Sequence, residues 1–134
     1  MTSRCPTLSR LRSTAVVLAV VLAAVALGCG SGPGEDIALS PLAAEGRQIA
    51  AAQGCVSCHG QSGEGGVGPS WRGLAGSEVS LLDGTTAAAD PAYLRRAITE
   101  PGADIVEGYA VRMPENVLTD GEVDAVVAYI LELR

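Results

Sequence analysis

Phenylalanine and lysine are both missing from this sequence, and histidine and tryptophan occur once each. From Cys29 onward, six arginines face fifteen acidic residues, a net charge of −9. An acidic, lysine-free domain is unsuited to nucleic acid or anionic lipid, since both demand clustered positive charge. Large side chains are scarce too, with three tyrosines as the remaining aromatics. A small domain so poor in bulk gains from something large and apolar at its centre.

Long apolar runs are equally rare. The longest, Ala15 to Leu27, has 13 residues. As a helix it reaches about 20 Å, short of the roughly 30 Å of a hydrocarbon core, so it makes a poor permanent span. Arg4, Arg10 and Arg12 precede it, and a basic segment followed by such a run marks a secretory signal peptide. No two arginines of this leader are adjacent, so a twin-arginine signal is not supported. The mean hydropathy of +0.30 comes largely from this leader.

The stretch "VALGCGSG" places Cys29 just behind the apolar run. It resembles a bacterial lipoprotein box, and acylation there would supply the attachment that the short run cannot. The alternatives are a cut after Ala24-Val25-Ala26, which leaves an unpaired cysteine to explain, or an uncleaved anchor. The expected organisation is a lipoprotein-type signal peptide over 1–28, a flexible tether over 29–39 and one domain over 40–134.

Within that domain, Ser40 and Pro41 read as the cap and first turn of a helix, which Gly54 stops. Gly46 in its interior costs roughly 1 kcal/mol against alanine, which points to a close backbone approach. From Gly60 to Gly76 the chain is a Gly-rich wrap. It is no phosphate loop, since the Lys-Ser/Thr pair is absent. Asp83-Gly84 allows a minor β-hairpin near 77–88. Asp90 and Pro91 start a second helix that Pro101 ends. Thr119 and Glu122 form a capping box before an apolar stripe of Val123, Val126, Val127 and Ile130. The fold class is therefore all-α, with three main helices joined by long loops.

The segment "GCVSCHG" holds two thiols and the single histidine, Cys55, Cys58 and His59. Zinc needs four Cys/His ligands at a spacing this chain does not offer. A redox dithiol belongs on a strand–helix–strand frame, of which there is no sign. Neither that nor a structural disulfide gives the histidine a task. C-x-x-C-H is the attachment signature of c-type haem. Residues three apart share one face of a helical turn, so both thiols can reach one porphyrin edge while His59 meets the iron. The expected cofactor is one covalent haem c.

A sixth ligand follows by elimination among His, Met, Cys and Tyr. His59 is unique and Met1 lies in the leader, which leaves Met113, 54 residues beyond His59 and followed by Pro114. Met113 is the expected axial ligand. Tyr109 and a five-coordinate iron are the alternatives. His/Met ligation raises the reduction potential and closes the iron, which means electron transfer rather than oxygen or peroxide chemistry.

Together "GCVSCHG", "GPSWRGL", "YAVRMP" and "VDAVVAYILELR" resemble a class I cytochrome c over roughly Pro41 to Arg134. The resemblance implies the small cytochrome c fold, with first and last helices crossing near Gly46 against the Val126–Tyr129–Ile130 face. It also implies that the Pro69 carbonyl accepts a hydrogen bond from His59, fixing its tautomer. A narrower likeness, over "GPSWRGLAGSEVSLLDGTT" and "DPAYLRRAITEPGADIVEGYAVRMP", is to the haem domain at the tail of some cytochrome c oxidase subunit II proteins. It implies that Trp71, Tyr93 and Tyr109 line the haem or its propionates and that Arg72 lies near a propionate. The chain is not that subunit itself, whose copper centre needs two Cys and two His.

The expected function is a membrane-tethered, non-enzymatic shuttle of single electrons in a respiratory chain, serving a terminal oxidase or quinol-oxidising complex from the periplasmic face. A fixed haem subunit of a larger complex, and a haem sensor or small peroxidase, are the alternatives.

Overall fold

The structure is a computed structural model that describes residues 38–134; the signal segment, Cys29 and nearly all of the tether lie outside the described residues. Helix α1 spans Pro41–Ala52, and its cap forms as the sequence implies: Ser40 Oγ accepts a hydrogen bond from the Ala43 amide at 3.2 Å. Gly54, at φ 78°, turns the chain out of the helix.

A second, single-turn helix, α2, follows at Val56–His59, so the described residues hold this short turn besides the three main helices. The reason is local. Gly54 breaks the helical path, Cys55 returns to right-handed helical angles, and Gly60 at φ 86° ends the turn. Strands β1 (Glu78–Ser80) and β2 (Thr86–Ala88) form the expected antiparallel hairpin, with Val79 opposite Ala87. Its turn is fastened by the Thr85 amide, which donates to Asp83 Oδ1 at 2.9 Å.

Helix α3 (Pro91–Thr99) starts on Asp90, whose Oδ1 accepts from the Tyr93 amide at 2.7 Å. Helix α4 (Asp120–Glu132) opens with both halves of the capping box made. Its buried face carries Val123, Val126, Val127 and Ile130, and adds Ala125 and Tyr129. That face is wider than one stripe because α4 packs on both α1 and α3.

The α1–α4 crossing explains Gly46. A Cβ at this position would lie 1.9 Å from the Ala125 carbonyl oxygen and 2.9 Å from the Val126 nitrogen. Only a bare backbone lets the helices approach so closely. Ala43 and Ala50, on the same side of α1, are fully buried. The contact is extended at its end by the Ser40 amide, which donates to Glu132 Oε2 at 2.8 Å. No helix among the described residues is long and apolar enough to cross a membrane.

Candidate functional site

The α2 turn delivers its side chains to one cavity. The Cys55 amide donates to the Ala50 carbonyl at 3.0 Å and the His59 amide to the Cys55 carbonyl at 3.1 Å, so the turn hangs directly from the end of α1. The Gly-rich wrap then folds back over it: Gly68 donates to the Cys58 carbonyl at 2.9 Å and Gly65 to the His59 carbonyl at 2.7 Å. This wrap brings the Pro69 carbonyl 2.7 Å from His59 Nδ1. A carbonyl can only accept, so Nδ1 carries the proton and Nε2 keeps its lone pair free for a metal. His59 is 9 % exposed. Its burial lowers the imidazole pKa, and the bond to Pro69 partly opposes this. The ring is thus neutral, as a ligand must be.

Cys55 and Cys58 are free thiols. Burial raises the Cys55 pKa, and its neighbour Cys58 adds to the rise. A redox dithiol works through a depressed thiol pKa, and burial pushes that of Cys55 the other way. Zinc fares no better: among the described residues no group of three or more His, Cys, Asp or Glu is placed to hold a metal ion.

The cavity, about 270 Å³, is lined by Cys55, Cys58, His59, Pro69, Trp71, Tyr93, Tyr109 and Met113, so eight of the candidate residues meet there. The rest of its wall is chiefly apolar, with Leu94 and Ile98 of α3 and Val126 and Ile130 of α4. Trp71 and Tyr93 are each 5 % exposed, and Tyr109 sits at the surface. A free imidazole nitrogen, two thiols and a thioether on an apolar cavity fit a covalently attached iron porphyrin. They do not fit a hydrated cation, which calls for hard oxygen donors.

Arg72 is not brought to this cavity. Its side chain is exposed, and Nε donates outward to the Ser62 carbonyl at 3.0 Å. Arg112, which the sequence reading passed over, lines the cavity instead. The wrap turns residue 72 away because the Trp71 amide is pinned to the Gly63 carbonyl at 2.8 Å and the indole takes the inward place.

The loop carrying Met113 is fastened on both sides. The Leu82 amide donates to the Ile105 carbonyl at 2.8 Å and the Glu107 amide to the Ser80 carbonyl at 2.9 Å. Downstream, Asn116 Nδ2 donates to the Ile98 carbonyl at 2.7 Å. Arg96 of α3 pairs with Asp104, with Nε at 2.7 Å from Oδ2. The same guanidinium lies 5.9 Å from the centre of the Tyr93 ring. Burial raises the Tyr93 pKa and the Asp104 carboxylate raises it further, so the phenol stays protonated. Gly68 is a second residue the sequence did not single out. A Cβ there would fall 2.9 Å from His59 Cε1. Its only sequence signal was its place before Pro69 in a run of glycines, which any loose turn shares.

A family model described as Cytochrome c matches residues 43–134. No curated protein matches the chain.

Proposed function

This chain belongs to the cytochrome c family, and on that premise we propose that it carries single electrons in a respiratory chain, tethered at the outer side of the cytoplasmic membrane and serving a terminal oxidase or similar partner. It is an electron-transfer protein that binds one haem c covalently. When bound, that group supplies one-electron exchange at iron. The observation that supports the fuller reading is the convergence of both thiols, His59 and Met113 on one apolar cavity.

In this reading Cys55 and Cys58 would hold the porphyrin edge as thioethers. His59 would offer Nε2 to the iron while Pro69 keeps the proton on Nδ1, and Met113 would offer its Sδ as the second ligand. The apolar wall from α3 and α4 keeps water out and favours a raised potential, as a thioether ligand also does. Tyr93 and Tyr109 close the wall. Docking uses the cavity mouth, where Val67, Tyr109 and Val111 are exposed. Acylated Cys29 would hold the domain at the membrane. The resemblance of "GPSWRGLAGSEVSLLDGTT" and "YAVRMP" to the oxidase subunit II haem domain is what favours a terminal oxidase as the partner.

The test is a visible spectrum and redox titration of protein matured with haem. Wild type should be low-spin, with a far-red methionine-to-iron charge-transfer band. Met113→Ala should lose that band and fall in potential. A band that survives Met113→Ala, or rapid carbon monoxide binding by the ferrous wild type, would overturn the closed His/Met site. Co-purification with a large complex at fixed stoichiometry would replace the shuttle with a fixed subunit.

A further inference from the structure

His59 is fixed by more than its bond to Pro69. The indole of Trp71 lies flat against its ring, with centroids 4.6 Å apart and planes 19° from parallel. Both rings are almost wholly buried. A single in-plane hydrogen bond from Nδ1 leaves the imidazole free to swing about the N–H···O axis. A flat aromatic face removes that freedom. An indole present only for bulk has no reason to lie so nearly parallel to the imidazole, since edge-on contact is equally available to aromatic pairs.

The indole is itself held. Its backbone amide donates to the Gly63 carbonyl at 2.8 Å. Gly63 leaves room for it: a Cβ there would lie 3.2 Å from Trp71 Cβ and 2.8 Å from Leu133 Cδ1. Tyr129 of α4 meets the indole edge-on, at 6.0 Å and 82°. Two residues on, the Gly73 amide reaches the Leu133 carbonyl at 3.4 Å. A connected path of rings therefore runs from the α1–α4 crossing to the imidazole.

We propose that Trp71 is a positioning residue for the His59 ligand: its indole sets the plane of the imidazole and, through Tyr129, ties that plane to the C-terminal helix. This rests on the reading of His59 as an iron ligand. It differs from a tryptophan that merely lines the haem or reaches a propionate, because it acts through His59. Two consequences follow. The imidazole plane sets how unpaired spin spreads over a low-spin ferric porphyrin, so the pattern of haem-methyl resonances reports it. The electron-rich indole face also favours the oxidised state, in which the imidazole carries more positive charge.

The experiment uses holoprotein and compares wild type, Trp71→Phe and Trp71→Leu. Trp71→Leu fills space without a flat face. It should rearrange the ferric haem-methyl pattern and shift the ferric-to-ferrous ratio at fixed ambient potential about two- to fivefold toward ferrous. That equals roughly 20–40 mV at 59 mV per tenfold for one electron. Trp71→Phe should restore most of both. A Trp71→Leu protein with its methionine band intact and a wild-type methyl pattern and potential overturns the proposal. If Trp71→Leu does not mature, ferrous wild type decides. Cross-peaks between indole and His59 ring protons support the stack, and their absence overturns it. A wild type without histidine ligation would sink the axial-ligand reading as well, whereas unchanged variants sink only the role of Trp71.

Discussion

At the residue scale, the imidazole of His59 is governed by neighbours that leave almost no tolerance. Gly68 passes so close that a Cβ would sit 2.9 Å from Cε1 and 3.1 Å from both ring nitrogens. Gly68→Ala should therefore displace the ring, lengthen the bond to Pro69 and reduce the yield of protein with a methionine-to-iron band; spectra of matured protein check this. A normal yield and spectrum would mean that the wrap yields more easily than its hydrogen bonds to Cys58 and His59 imply. Asn116 acts at the other side of the site by anchoring the Met113 loop to Ile98. Asn116→Ala should lose about 1 kcal/mol of loop anchoring. Faster displacement of the sixth ligand by added imidazole, followed by absorbance, is the expected sign. The sequence singled out Met113 because the alternatives ran out, and the structure places it on the cavity wall. It gave no hint of Asn116, whose contact spans 18 residues.

At the element scale, stability concentrates where α1 crosses α4. Gly46→Ala would place a methyl 1.9 Å from a backbone oxygen, and backbone cannot step aside as a side chain can. The cost should be about 3 kcal/mol or more, read as a fall in the unfolding midpoint. The start of α4 is a separate device. The Thr119 amide and then its hydroxyl hold the Glu122 carboxyl below the usual carboxylate range. A lowered folded-state pKa contributes stability above the unfolded value, and that contribution disappears as pH falls through the folded one. Thermal melts at neutral and acid pH should accordingly differ less for Glu122→Gln than for wild type. Thr119→Ala should cost about 1 kcal/mol at neutral pH. Helix starts were legible because capping is local chemistry, written within a few residues at Ser40-Pro41, Asp90-Pro91 and Thr119–Glu122. The α2 turn was legible only through the three-residue spacing of Cys55 and Cys58, since these residues carry no cap or apolar period to mark where it starts and stops.

At the scale of the whole molecule, acidity limits how docking can be steered. The chain from Cys29 onward carries six arginines against fifteen acidic residues. Arg95 is also engaged with Asp120 and Asp124, and Arg96 with Asp104. Long-range attraction to an acidic docking face is thus closed to this protein. Raised salt should not slow its oxidation by an acidic-faced oxidase, and stopped-flow rates across ionic strength measure this. Strong inhibition by salt would contradict an apolar or basic docking patch at Val67, Tyr109 and Val111. Tethering has its own test: Cys29→Ser should release the protein from membranes if Cys29 is the acylated residue.

The sequence alone determined the cofactor and the helix starts, because C-x-x-C-H and the caps are short-range patterns whose chemistry is complete within one turn. It also determined that Gly46 had to meet a backbone. Only the tertiary structure decided that this backbone is the Ala125 carbonyl, that Arg112 rather than Arg72 lines the cavity, and that Trp71 stacks on His59. Those outcomes depend on how a glycine-rich wrap closes over a distant helix, and such closure is set by packing between segments far apart in the chain.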